Sequence, residues 1–358
     1  MKFAYDTSYA ESRRLMRWKS ERVAYALLLA LLLVAPWVLP VYYVTELTFL
    51  FIFSLASLGL MVLTGYTGQV SLGHAAFIAI GAYAEALLLA RGLPFPLTLL
   101  GAALIAAAAG VAIGLPAIRV SGLYLAMVTL AFSIVVEHLS GHWTALTGGF
   151  TGMAVPDVKL LGLALSQPVV FYCVCLVVLV LVLLALINLM RAHAGRAFVG
   201  VRDSEAAAHG LGIHVARTKV LAFALSAGIT GLAGALLAHQ TKYLTPDGFG
   251  LMLSMQLVLA VVIGGLGSLR GAILGAILIG LLPALISQFK PFLPDRIARQ
   301  FGLETFVFGA VLVGFVLFEP QGLNGRWLKL RALFETFPLY RRDTFRRAKT
   351  YMRSERVR

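Results

Sequence analysis

Ten stretches of this chain run for 16 to 24 residues nearly free of charge: 23–44, 47–64, 70–90, 96–118, 120–139, 169–190, 216–239, 251–267, 271–289 and 303–318. At 1.5 Å per residue a helix of about 20 residues spans the roughly 30 Å of a bilayer's hydrocarbon core. Inside that core no water can satisfy a loose backbone group, so a spanning segment must be a helix or part of a closed barrel. Barrel strands alternate polar and apolar residues; these runs do not. The composition agrees, with 60% hydrophobic and 13% charged residues against about 25% charged in soluble domains. The expected fold is therefore all-α: a polytopic integral membrane protein of about ten transmembrane helices, with eight as the main rival count.

Charge gives the orientation. The formal net charge is +14, which in a soluble protein would raise nucleic acid as a partner, but the basic residues lie between and beyond the apolar runs. With the N-terminus inside, 24 of the 30 Lys and Arg fall in cytoplasmic segments and six (Arg91, Lys159, Lys242, Lys290, Arg296 and Arg299) fall outside. Lys and Arg collect on the cytoplasmic side, so the pattern predicts N-in and C-in, with a lipid bilayer rather than nucleic acid as the surrounding partner. It divides the chain into a basic cytoplasmic segment (1–22), a transmembrane domain (23–319) and a basic cytoplasmic tail (320–358). Within the domain, 140–168 is an outer loop and 191–219 an inner one. The first run, about 33 Å as a helix, is too long for a signal-peptide core.

The inner loop, RAHAGRAFVGVRDSEAAAHGLGIHVARTK, is the long polar interruption of the second half. Asp203 or Ser204 can cap a short helix, Glu205 suits its first turn, and Gly210 and Gly212 can end it. On these residues alone it reads either as a solvated loop with a helical turn or as a docking element. Thr64 to Phe77, TGYTGQVSLGHAAF, is punctuated by Gly65, Gly68 and Gly73. It is either a tight turn before a helix or broken backbone at membrane depth, which is tolerated only where it is buried in protein or lines a cavity. In the second case Gln69, Ser71 and His74 are pathway or gate candidates. The outer loop, with HWTALTGGFTGMAVPDV, is long for a bundle connector and reads as a platform for a partner or as a flexible link.

Chemistry is sparse. Glu85, Glu137 and His138 are the principal ionisable residues within spans; each lies near a helix end, where interfacial water is expected to reach it. Cys173 and Cys175, two apart on one helix, point in different directions and suggest neither a disulfide nor a metal. GGLGSLRG at 264–271 lacks the Lys and hydroxyl residue of a phosphate loop. The expectation is no catalytic residue, no metal and no cofactor bound by this chain. Glycines three or four apart within spans suit close helix packing.

Together, TGYTGQVSLGHAAF with the following IAIGAY, the cytoplasmic GRAFVGVRDSEAAAHGLGI, LTGGFTG outside, IGGLGSLRGAILGA and the closing EPQGL resemble the LivM-type permeases of bacterial branched-chain amino-acid ABC importers. The likeness covers roughly residues 45–325, in the family's order. It departs at Glu319, where the family usually has a basic residue, and in the length of the tail.

The resemblance implies a multi-pass permease of the bacterial inner membrane. Its partners would be a second homologous permease, two cytoplasmic ATPases carrying ATP and Mg, and a periplasmic substrate-binding protein. It implies an EAA-type loop in which Gly195, Arg196, Arg202, Asp203, Glu205, Ala206, Ala207 and Gly210 couple to the ATPase. Gly65, Tyr66, Gly68, Gln69, Ser71, Gly73 and His74 would form the pathway or gate, and Thr147, Gly148, Gly149, Thr151 and Gly152 would dock the binding protein. Related permeases carry urea, amides or other amino acids, and a self-sufficient secondary transporter or channel is the reading of another class. The absence of intramembrane coupling carboxylates argues against that class.

Overall fold

The computed structural model describes residues 19–160, 163–289 and 322–336, with a few helical positions between 306 and 317. The expected span 303–318, the closing EPQGL, most of the segment 1–22 and the end of the tail lie largely outside these residues. The described chain is predominantly helical: α1 (Lys19–Val38), α2 (Val41–Leu60), α3 (His74–Ala90), α4 (Phe95–Ala117), α5 (Leu123–His142), α6 (Pro168–Arg191), α7 (His193–Asp203), α8 (Glu205–Gly210), α9 (Val215–Thr241), α10 (Leu251–Gly264), α11 (Leu269–Phe289) and α12 (Gly322–Thr336). Among the described residues seven helical segments are long and apolar enough to cross a membrane, and Arg22–Val38 and His74–Ala90 are shorter apolar helices. This is a polytopic membrane bundle.

Three of the differences from the expected boundaries have a clear local reason. The first apolar run is cut by Pro40, which lacks an N–H; α1 ends at Val38 and α2 starts at Val41. The third run starts at His74 rather than at residue 70, because 68–73 is non-helical. α10 stops at Gly264, where Gly265 (φ 107°) and Gly267 (φ 81°) turn the chain.

α9 is the central helix, packed on α4, α3 and α2, and α10 pairs with α11. Backbones meet at these contacts. A Cβ on Gly81 would lie 2.0 Å from Gly231 O, one on Gly234 2.1 Å from Ile78 O, and one on Gly264 2.0 Å from Gly271 O. Small residues permit this approach, which supplies the dispersion contacts that hold helices together in lipid. Large apolar side chains of α1, including Val23, Leu27, Leu31 and Trp37, are exposed, as hydrocarbon-facing residues can be.

The two ends of the bundle differ. One, the basic end, gathers Arg119 with Arg191, Arg202, Lys219 and Arg270 near the ends of their helices; there Arg270 lies over the Tyr25 ring, 5.4 Å from its centroid. The other, the loop end, carries two small antiparallel ladders, Met153–Ala154 with Tyr243–Leu244 and Lys159–Leu160 with Leu163–Ala164.

Candidate functional site: the basic end and the broken helix

α2 does not stop cleanly. It continues as a π-helical turn, Met61–Tyr66, and then gives way to six non-helical residues before α3. Gly65 fits there because a Cβ would strike Met61 Sδ at 2.2 Å and Gly267 N at 2.8 Å, and Gly68 adopts φ 71°. Gly73 passes so close to α5 that a Cβ would lie 2.4 Å from Thr129 O, while Leu72 N donates to Thr129 Oγ1 at 3.0 Å. The segment re-enters the bundle as non-helical backbone.

Side chains from other helices hold it. Ser226 Oγ donates to Gly59 O at 2.7 Å, so it accepts from His74 Nε2 at 2.8 Å. The other ring nitrogen, Nδ1, then accepts from Ser71 Oγ at 3.0 Å. This bonding assigns His74 as the neutral Nε2–H tautomer, with both nitrogens satisfied. Ala75 N, at the first turn of α3, donates to Ser254 Oγ at 3.0 Å. Ser71 and His74 are fully buried and tie α2, α3 and α9 together.

Gln69 is different. It is 6% exposed, and neither its Oε1 nor its Nε2 has a partner. It lines a polar cavity of about 130 Å³ at the basic end, with Thr67, Ser121, Arg202, Glu205 and Lys219 among the other walls. Tyr66, half-buried, closes the π-helical turn just before it.

The far walls of the cavity come from the loop between α6 and α9, which is more ordered than its polar sequence suggested. Its second helix, α8, is the short one expected, capped by Ser204 Oγ accepting from Ala207 N at 3.2 Å. Its first helix, α7, was missed: Gly195 and Gly200 obscured it, although Phe198 and Val201, three apart and buried, carry the signal. Arg202 is the tie to the break, with Nη1 donating to Gly65 O at 3.0 Å and Nε to Asp203 Oδ1 at 3.1 Å. Arg196 bonds back to Arg191 O at 3.0 Å. Lys219, on α9, is 3% exposed and pairs with Glu205 Oε1 at 2.7 Å.

The residues assigned to coupling therefore divide. Asp203, Glu205, Ala206, Ala207 and Gly210 lie on an exposed stretch. A Cβ on Gly210 would meet nothing within 4 Å, whereas one on Gly195 would lie 2.4 Å from Met190 Cα. Gly195 serves the packing of α7 on the end of α6; Gly210 has no such internal demand. Just beyond it Leu211 is 82% exposed. This leucine, presented to water at a loop tip, was not singled out from the sequence.

At the loop end, the residues proposed for docking form a compact knot. Thr147 Oγ1 donates to Ser140 O at 2.6 Å and accepts from Gly149 N at 3.2 Å; Thr151 Oγ1 donates to Gly148 O at 2.6 Å. Gly148, Gly149 and Gly152 all have positive φ, and a Cβ on Gly152 would lie 2.5 Å from Leu244 O. These glycines shape the loop. The side chain it presents is Phe150, 62% exposed.

Below it, Glu85 departs from expectation. It is fully buried rather than reached by interfacial water: Thr98 Oγ1 donates to its Oε1 at 2.7 Å and His239 Nε2 lies 3.1 Å from the same oxygen. Glu137 and His138 remain accessible.

The comparisons with known proteins decide the family. A family model described as the branched-chain amino acid transport system permease component matches residues 42–316. The chain belongs to that family. It is 35% identical over 301 residues to the high-affinity branched-chain amino acid transport system permease protein LivM of Escherichia coli (strain K12), covering 77% of this chain and 68% of the relative. It is 29% identical over 265 residues to the autoinducer 2 import system permease protein LsrC of Enterobacter sp. (strain 638), covering 71% and 72%. A probable branched-chain amino acid transport permease protein LivH of Methanocaldococcus jannaschii is 26% identical over 222 residues, covering 59% and 67%. No solved structure matches.

Proposed function

We propose that this permease is the membrane-spanning subunit of an ATP-driven, binding-protein-dependent importer for branched-chain amino acids. It sits N-in and C-in in a bacterial inner membrane with about ten spans. Beside it stand a second homologous permease, two ATPases that carry ATP and Mg, and a periplasmic binding protein. The basic end faces the cytoplasm, and α8 with Leu211 seats on an ATPase. The knot around Phe150 faces outward and receives the binding protein.

One observation carries the reading: the exposed stretch from Asp203 to Leu211 is joined through Arg202 to Gly65 O, the carbonyl at the mouth of the broken helix. A docking surface and a break in a membrane helix are thus one hydrogen bond apart. Closure of the ATPases moves the first, and the bundle responds at the second, an interface shift of the kind that alternating access requires. The described residues carry no carboxylate pair suited to ion coupling, since Glu85 is enclosed with Thr98 and His239.

Reconstitution in proteoliposomes tests this. Uptake is expected only with ATPase, second permease and binding protein present; uptake by the purified chain alone under an ion gradient would replace the proposal with a secondary transporter. The relatives are named for transport of branched-chain amino acids and for import of autoinducer 2. The solute is therefore read from the ligand held by the binding protein that co-purifies. A branched-chain amino acid there supports the assignment, and urea, an amide or a sugar-like ligand corrects it.

A further inference from the structure

Lys219 and Gln69 occupy one cavity in opposite conditions. The ammonium of Lys219 is buried and has Glu205 Oε1 at 2.7 Å; the amide of Gln69 is buried with both polar atoms unpartnered. A buried cation cannot be left without a partner, and a buried amide is costly without one. Glu205 belongs to α8, whose side chains are exposed except for the buried Ala208, whereas Lys219 belongs to the central helix α9. Any outward displacement of α8 withdraws the carboxylate from a lysine that cannot follow it into water. The third charged group facing the cavity, Arg202, is already engaged with Gly65 O and Asp203.

From this juxtaposition we infer that Lys219 is a two-seat positioning residue: it is held by Glu205 when α8 lies against the bundle and by the Gln69 side-chain oxygen when α8 is drawn away. A flexible four-carbon stem suits such an exchange within a cavity of about 130 Å³. Thr67 and Ser121 line the same space and can supply further oxygen. A neutral amide is the appropriate second seat. A carboxylate there would compete with Glu205 in every state, whereas an amide leaves the position of α8 to decide the balance. The exchange would convert movement of the docking helix into a change at residue 69, inside the broken helix. The inference rests on the coupling role proposed for α8.

The test uses the assembled importer and reads solute taken up per ATP hydrolysed, with ATPase co-purification measured in parallel. Glu205→Gln is expected to lower that ratio about tenfold while the ATPase still co-purifies. Gln69→Leu alone, which removes the second seat and leaves Glu205 in place, is expected to lower it by a similar factor, whereas Lys219→Arg keeps it within about threefold. A Gln69→Leu permease that keeps the wild-type ratio overturns the second seat. Loss of ATPase co-purification in Glu205→Gln would overturn the pin by making Glu205 a direct docking contact, and α8 docking would stand. If the ratios follow expectation but Leu211→Asp neither weakens ATPase association nor lowers uptake, the docking reading fails and the lysine exchange survives. A melting midpoint for each purified permease separates these outcomes from simple destabilisation.

Discussion

At the loop end Glu85 is enclosed by Thr98 and His239, with the Phe95 and Phe171 rings 5.2 and 6.2 Å from the imidazole. At the basic end Lys219 has one carboxylate partner and looks across a polar cavity at an amide with none. Both ends bury an ionisable side chain in a membrane bundle and both leave a polar atom unpartnered, Glu85 Oε2 at one and the Gln69 amide at the other, but the cavity of about 130 Å³ lies beside the second. A polar cluster with no space beside it is held in one arrangement; one that borders a cavity has room for a second. Under the proposed function the loop end would act as a clasp and the basic end as the part that moves.

Four substitutions test that contrast. The largest effect is expected from Glu85→Ala, which leaves His239 and Thr98 without their shared acceptor. It should cost about 1–3 kcal/mol of stability, read as a lower melting midpoint, with transport per ATP unchanged in the protein that remains folded. A normal midpoint with altered transport would reverse the roles of the two ends. Leu211→Asp comes next: uptake should fall about tenfold, equivalent to about 1.4 kcal/mol in docking, while the midpoint holds. Arg202→Lys replaces a fork with a point charge and loses one of two bonds; a roughly threefold drop in uptake is expected, with little thermal change. Gly210→Ala should be the mildest. Its Cβ enters open space, so stability moves by less than about 0.5 kcal/mol, and a measurable loss of uptake would mark contact with a partner.

How far the sequence reaches can be judged from single residues. Nine of the ten expected apolar runs have a counterpart among the described helices, because length and hydropathy are local properties. The α8 cap at Ser204 and the break after Gly68 were legible for the same reason, since caps and positive-φ glycines act within a few residues. Glu85 was misread because its partners lie 13 and 154 residues away in the chain; position near a helix end says nothing about what covers that end. Lys219 was counted only as a positive charge marking the cytoplasmic side. Its burial depends on α8 folding back over it, a tertiary fact without local trace. Leu211 escaped notice because one leucine in a loop is unremarkable until its surroundings are known to be empty.

The glycine contacts of α9 have a consequence for how such a bundle can change shape. Where Gly81 meets Gly231 and Gly234 meets Ile78, main chain rests on main chain with no room for a Cβ between them. Interlocked side chains would have to disengage before two helices could rotate; a bare contact lets them swivel in place. In the alternating access proposed above these close contacts would serve as fulcrums, and a single methyl group added to one of them would jam the movement.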